Sequence, residues 1–472
     1  MAIIIELFKM VNSCIPVICG AAVIFVGVVI INDKTNGRKK FKELKEATPN
    51  EAKGIVFGKK KGMFTKKVVY SPAENEGHCG IFSASGTGKT SAICIPTLRS
   101  WVNNTSYVID ISGDIERNCP NIKNKLVYAP ENPETTAYNI FAPIDELVDS
   151  SDKQEALEQL AYLLMPSIAT TDNAKFYQDN GRKILTAALI AFYGDGIDFI
   201  AICERICSSS WKELFRTIDE LSKKNPSYAV ASMLISSFIG SVEQNTAGCK
   251  QACDDAIKLF ATNSKIKTSI HRPKKKDEIT IQPSMIENHS IFVIVDDPKL
   301  ELYRPLLNVI TSQMMQYISN RKINDSSAHI LLVLDEFASL GLDVTMILEA
   351  LRKYRKRLCR VMILSQNLAD FRLLYGNDAT RAIMANLRFK VLLGGLGEPE
   401  SQKYFSDLIG YTNVTKRSKS TSRSQTTHTE SESKQYIIEP SELDRQGNDT
   451  VILIHPENEG YMLLKKNYYF KG

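Results

Sequence analysis

Histidine is scarce in this sequence, and cysteine is not arranged to take over its roles. Six histidines and ten cysteines are spread over 472 residues. The cysteine pairs Cys203/Cys207 and Cys249/Cys253 stand at helical i, i+4 spacing, yet no histidine joins them at zinc-finger spacing. Ten thiols in so long a chain do not make a disulfide framework, and the two pairs read better as small core hydrophobes on helix faces than as ligands. A strong excess of one charge is missing too. The net charge of +6 comes from 59 basic and 53 acidic residues, which suits nucleic acid or anionic lipid and singles out neither. An apolar content of 43% and a charged content of 24% are those of a globular chain, long enough for two or three domains with full cores.

Charge is absent altogether from Met10 to Asn32, and Ile15 to Ile31 is nearly all apolar. That length suits a membrane span. Lys34, Arg38, Lys39, Lys40, Lys42 and Lys45 follow it, against Lys9 alone on the other side, which places the rest of the chain in the cytoplasm. A cleaved signal peptide and a buried core helix are the alternatives, but the run is longer than a usual signal core. Apolar residues are nearly absent from 414–434 (VTKRSKSTSRSQTTHTESESK), and disorder is expected there.

What is present is organised around His78 to Thr97, HCGIFSASGTGKTSAICIPT. A short apolar strand runs into the small-residue loop Ser83, Ala84, Ser85, Gly86, Thr87, Gly88, and Lys89 and Thr90 then open a helix. Small residues let backbone N–H groups curl around a triphosphate. The helix N-terminus adds positive potential, Lys89 reaches the β- and γ-phosphates, and the Thr90 hydroxyl ligates Mg²⁺. Ser83 stands where the motif has its first glycine. The bland alternative is a glycine-rich turn before an amphipathic helix. Pro96 is expected to kink or end that helix.

Further strands are predicted at 106–110, 126–129, 291–295, 329–334, 360–364, 387–393, 450–454 and 461–464, and a helix at 306–318. This alternation argues for a parallel sheet covered by helices. Residues 33–75 read as a polar lead-in with a lysine cluster at Lys59, Lys60, Lys61, Lys66 and Lys67. Between 152 and 275 apolar residues recur at three and four, as in Ile184, Leu185, Ala188, Leu189 and Phe192, which predicts an inserted all-helical domain closed by the basic run His271 to Lys276. The strand at 329–334 ends in Asp335-Glu336. Two acids at the carboxyl end of a buried strand are the other half of a P-loop ATPase site, Asp335 holding Mg²⁺ through water and Glu336 polarising the attacking water.

Taken together the chain resembles the type IV coupling proteins, the TraG and TraD group of membrane ATPases that feed DNA into conjugative type IV secretion channels. Leu334-Asp335-Glu336-Phe337-Ala-Ser-Leu340-Gly341 carries the resemblance most specifically. His78 ahead of the loop, Ile95-Pro96 after it, Asn139-Ile-Phe, Phe176-Tyr-Gln-Asp, Ser290-Ile-Phe-Val, Gln366 with Tyr375-Gly376, and Glu439-Pro440-Ser-Glu442-Leu443 support it. The family's Asp-x-Lys-Gly-Glu appears as Asp110-Ile-Ser112-Gly113-Asp114, without its lysine. Most relatives have two spans, and Ala2 to Phe8 is too short for one.

The resemblance implies a RecA-like α/β ATPase with a parallel-rich sheet, in four parts: an anchor (1–32), a first part of the nucleotide-binding domain (33–151), an inserted all-α domain (152–275) and a second part (276–472). It implies a homo-hexamer at the inner membrane that binds ATP and Mg²⁺ between subunits, and the single apolar run makes this chain single-pass with its bulk in the cytoplasm. Gln366 would sense the γ-phosphate, and a neighbour's Arg355 would act as arginine finger, with Arg352 and Arg357 as alternatives. The implied partners are DNA, single- or double-stranded and without sequence preference, the relaxase of the relaxosome, and the channel components. Other RecA-like membrane translocases, channel-assembly ATPases and a non-pumping receptor with a regulatory ATP site are the competing readings.

Overall fold

A computed structural model describes residues 44–62, 66–167, 171–422, 425–447, 449–455 and 460–471. The expected span at Ile15–Ile31 lies outside them. Among the described residues no helix is long and apolar enough to cross a membrane.

Three short strands open the described chain: β1 (Lys45–Ala47), β2 (Gly54–Lys60) and β3 (Val68–Pro72). Then come β4 (His78–Phe82), β5 (Thr105–Ile111), β6 (Lys125–Tyr128), β7 (Ser290–Val295), β8 (Ile330–Leu334), β9 (Cys359–Ser365) and β10 (Leu387–Leu392). A polar ribbon, β11 (Tyr411–Ser422) with β12 (Gln425–Tyr436), precedes β13 (Thr450–His455) and β14 (Gly460–Lys465). All but the ribbon join one twelve-stranded sheet in the order β1-β3-β2-β14-β13-β10-β4-β9-β8-β5-β7-β6. From β10 to β6 every neighbouring pair is parallel. The remaining pairs are antiparallel.

The parallel strands are apolar on both faces because both faces are covered. Ile81, Val108, Leu331, Val333 and Leu364 pack on one side with Ile93, Cys94 and Leu98, from the helix after the small-residue loop. On the other side Ile109, Leu332, Leu334 and Ile363 meet Leu307, Ile310 and Met314 of the helix Leu300–Asn320. Strands buried on two faces lose the alternation of a half-exposed strand, so SYVID, IFVIV and HILLVL show as short apolar runs.

Between Ser150 and Ser269 the described residues form a succession of helices joined by turns. The long helix Asp172–Gly194 is central, burying Ile184, Leu185, Ala188, Leu189 and Phe192. Asp149, Thr171, Asp198 and Ser210 cap four of its helices through side-chain oxygens that accept from free backbone N–H groups. Cys203, Cys249 and Cys253 are buried free thiols, and the described residues include no metal-holding cluster. The basic run has a structural member: Arg272 donates twice to Asp145, both at 2.8 Å, and lies over the rings of Phe141 and Tyr193.

Three expectations change. The polar lead-in contains β1, β2 and β3, whose lysines sit at strand ends while Ile55, Phe57 and Val69 enter the core. In place of disorder at 414–434, β11 and β12 pair in register from Tyr411↔Tyr436 to Ser422↔Gln425. The many threonines favour extended backbone, and a ribbon outside the sheet needs no apolar face. Pro96 neither kinks nor ends its helix on the spot. A wide turn over Lys89–Cys94, closed by Ile95 N–H to Thr90 O, precedes the α-helix Ile95–Ser100, so Pro96 falls in the first turn, where its missing N–H costs nothing.

His78, at the start of β4, is buried. Its Nδ1 accepts from Val361 N at 2.9 Å. Burial, aided by the Arg360 guanidinium, pushes its pKa down to about 4. The unfolded chain therefore takes up a proton near pH 6.5 that the folded chain refuses, so stability is full above that pH and falls as pH drops toward 4. We expect His78→Gln to flatten the rise of unfolding free energy between pH 4 and 6.5 by about 2–3 kcal/mol. Urea titrations at stepped pH measure this, and parallel wild-type and variant curves would contradict it.

Candidate nucleotide site

The chain leaves β4 at Phe82 and turns through Ser83 to Gly88 at the carboxyl end of the parallel block. Neighbouring strands hold the turn from both sides: Ser83 N donates to Ser365 O of β9 (3.2 Å), and Leu393 N, just after β10, donates to Phe82 O (3.3 Å). Gly86 (φ 74) and Gly88 (φ 107) adopt left-handed backbone that a side chain would strain. Within the turn, the Thr87 hydroxyl donates to Ala84 O at 2.8 Å and also pairs with the Ser83 hydroxyl. Ser85 and Gly86 are exposed, and Thr90 is half-buried on the first turn of the helix.

Lys89 is only 5% exposed. Its Nζ donates to Ser83 O (2.8 Å) and Ala84 O (3.3 Å) and lies 4.0 Å from Glu336 Oε1. Asp335 and Glu336 follow β8, two strands away from β4 with β9 between. Asp335 is 6% exposed, its N–H donating to Ile109 O of β5 at 3.4 Å. Burial, then the carboxylates of Glu336 and Asp110, raise its pKa to about 7, against the pull of Lys89. Burial lowers Lys89, opposed by Glu336 and then Asp335.

Glu336 has φ 43 and ψ 48, a left-handed conformation rare for a glutamate. The helix Phe337–Leu340 starts directly after it and ends on Gly341 at φ 61, against which the Arg304 side chain packs. The positive φ lets the chain leave a buried strand, present a carboxylate to Lys89 and enter a helix within one residue.

Gln366 follows β9 and is exposed, between the loop and the acids by strand order. The structure thus brings Ser83 to Thr90, Asp335, Glu336 and Gln366 to one end of the sheet. It leaves Arg355 out. That residue sits in the turn before β9, at the opposite end, paired with Glu76 at 2.5 Å. Arg357 is held there too, donating to Arg321 O at 3.0 Å, and Arg352 is exposed nearby.

Two participants went unassigned in the sequence. Asp110, at the end of β5, accepts from Glu116 N (2.7 Å) and Ile115 N (3.3 Å), and burial raises its pKa to about 6. Its signal was the acid closing an apolar run, as at Asp335. Gly395 has φ 64, and a Cβ there would stand 2.9 Å from that of Ala84, so the loop after β10 needs glycine to approach the turn. The Gly394-Gly395-Leu-Gly397 string was its signal.

The donor set fits a magnesium-bound phosphate ester. A half-buried hydroxyl, a carboxylate pushed toward protonation by burial and its acidic neighbours, and a lysine that donates to two loop carbonyls beside Glu336 offer oxygen ligands to a dication and a donor to an anion. Magnesium takes few protein ligands and completes its shell with phosphate oxygens and water.

Holding the half-buried Glu336 in left-handed backbone beside the buried Asp335 costs stability, so relief should be measurable. Asparagine tolerates this conformation and carries no charge, and Glu336→Asn is expected to raise the unfolding free energy by roughly 1 kcal/mol. Chemical denaturation tests it, and a loss of stability would contradict it.

Over residues 37–472 the chain matches the family described as type IV secretory system conjugative DNA transfer. No curated protein is similar enough to count as a relative. Among solved structures the fold is similar to the bacterial conjugative coupling protein TrwB in its unbound form, with a TM-score of 0.64, 16% identity, and 82% of this chain and 84% of that one covered. It is likewise similar to TrwB in complex with ADP and Mg²⁺ (TM-score 0.62, 16% identity, 83% and 85% covered). For TrwB with the non-hydrolysable ATP analogue ADPNP the TM-score is 0.60, with 17% identity and 82% and 85% covered. Matched along nearly its whole length and built on the fold of TrwB, the chain belongs to the conjugative DNA transfer family of type IV secretory systems, as a type IV coupling protein.

Proposed function

We propose that this protein is a membrane-anchored ATPase that receives relaxase-bound DNA and drives it into a type IV secretion channel. One observation supports the ATPase reading above others: Lys89 and Glu336, far apart in sequence, lie 4.0 Å apart at the carboxyl end of the sheet, where α/β folds bind nucleotides. TrwB, which shares the fold, has been seen with ADP and Mg²⁺ and with an ATP analogue.

In this reading the backbone N–H groups of Ser83 to Gly88 cradle the β- and γ-phosphates. Lys89 exchanges the carbonyls of Ser83 and Ala84 for phosphate oxygens, which are better acceptors. Thr90 and Asp335 hold Mg²⁺, whose charge offsets that of the phosphates. Glu336 takes a proton from the attacking water, and Gln366 senses the γ-phosphate from the end of β9. Arg355 cannot serve its own site from the far end of the sheet, so it acts on a neighbour's, leaving Glu76 to do so. A finger supplied across a subunit boundary contributes about 10³–10⁵ in rate and makes hydrolysis depend on assembly, here a hexamer. DNA is gripped by its phosphates, without sequence readout. The apolar run Ile15–Ile31 anchors the chain in the inner membrane, with the bulk in the cytoplasm.

Full-length protein in lipid nanodiscs tests the reading. We expect DNA-stimulated ATP hydrolysis that Lys89→Ala and Glu336→Gln abolish, together with loss of conjugative transfer in cells while membrane insertion persists. Full transfer by either variant would refute the catalytic assignment. Transfer without DNA-dependent turnover would leave the protein a receptor. DNA affinity should fall steeply with salt, the slope of log K against log salt giving the number of phosphates neutralised.

A further inference from the structure

The end of the chain lies across the small-residue turn. After β14, Lys466 Nζ donates to Thr87 O at 2.7 Å. The Tyr468 ring reaches within 3.2 Å of where a Cβ on Gly88 would stand, and Tyr469 N donates to Ser91 O at 3.1 Å. Arg99 fixes this segment from below, its guanidinium 4.8 Å from the Tyr469 ring centroid and its N–H bonded to Tyr469 O. Tyr468 and Phe470 lie 5.2 Å apart with planes 32° apart. Tyr469 packs against the core, whereas Phe470 is 60% exposed.

Strand order gives a bound nucleotide a direction. The acids that would act on the terminal phosphate follow β8, on one side of β4, with β9 between. The terminal phosphate therefore lies toward β8, and the nucleoside runs the other way, over β10, β13 and β14. That is the side from which Tyr468 and Phe470 arrive. Two rings in contact and tilted to each other, Tyr468 with the Lys471 ammonium 4.6 Å from its centroid and Phe470 largely exposed, stand beside the residue that precedes Lys89 and provide what an aromatic base lacks in water, a flat apolar face to stack on.

We propose that Tyr468 and Phe470 form the nucleobase subsite of the ATP site, with Lys466 and Arg99 as positioning residues that hold the segment on the turn. The inference rests on the ATPase reading above. It makes the C-terminal residues part of nucleotide binding and separates base affinity from phosphate affinity within one site.

Titration calorimetry on the full-length protein in nanodiscs, with ATP and inorganic tripolyphosphate each as its Mg²⁺ complex, tests it. Tyr468→Ala and Phe470→Ala are expected to weaken ATP about five- to hundred-fold, the range for one stacked base, and to leave tripolyphosphate unchanged. Tyr468→Phe, which keeps the ring, should bind ATP like the wild type. Unchanged ATP affinity in both alanine variants, or equal loss for ATP and tripolyphosphate, would overturn the subsite, the second outcome showing that the segment only braces the turn. A wild-type protein that binds neither ligand would overturn the ATP-site reading itself and this inference with it.

Discussion

Asp110, Asp335 and Glu336 share the carboxyl end of the sheet with the ammonium of Lys89, and most of the molecule can be understood as the frame that keeps these charges there. Asp335 and Lys89 are almost wholly buried, and each burial disfavours the charged form of the group concerned. Burial first, and then the neighbouring carboxylates of Glu336 and Asp110, raise the pKa of Asp335 to about 7 even with Lys89 beside it. A folded chain tolerates such a centre only where stiff elements leave its members no escape. Here β4, β9, β8 and β5 do so, their ladders running without interruption from core to site.

The same frame separates the two ends of the sheet chemically. At the carboxyl end sit small residues, acids and the buried lysines Lys89 and Lys466. At the amino end sit Arg355, Arg357 and Arg321, bonded to Glu76, to Arg321 O and to Glu287. No rearrangement within one subunit brings Arg355 to the acids, because the length of β9 lies between them. If Arg355 participates in hydrolysis, it does so in another copy, and in the proposed motor the separation becomes the device that ties chemistry to assembly.

Much of this was legible in the sequence, for identifiable physical reasons. Strands buried on both faces leave continuous apolar runs, so β5, β7, β8 and β9 are visible in SYVID, IFVIV, HILLVL and RVMIL. A loop made of glycine and small residues betrays the close backbone approach it permits. What escaped is equally consistent. β2 and β3 lie at the antiparallel end of the sheet, in a stretch whose lysines conceal its short apolar runs. The ribbon β11–β12 is stabilised by main-chain pairing, to which a search for apolar pattern is blind. The position of Arg355 relative to the acids could not be read at all, since a sequence gives the order of residues but not which end of a strand faces which.

The antiparallel half of the sheet has a consequence for the site beyond added stability. β10 runs in the same direction as β4, β13 runs back against it, and β14 reverses again, in register from Thr450↔Lys465 to His455↔Gly460. Two reversals deliver the end of β14 to the same end of the sheet as the loop after β4. Had the chain added one strand there instead of two, Lys466 and the aromatic residues after it would emerge at the opposite end, beside Glu76. An even number of antiparallel strands after β10 is thus what lets the last residues of the chain reach Thr87, Gly88 and Ser91. The contacts of Lys466 and Tyr469 with that turn therefore follow from topology, and residues at the extreme end of the sequence become neighbours of a loop that precedes them by most of its length.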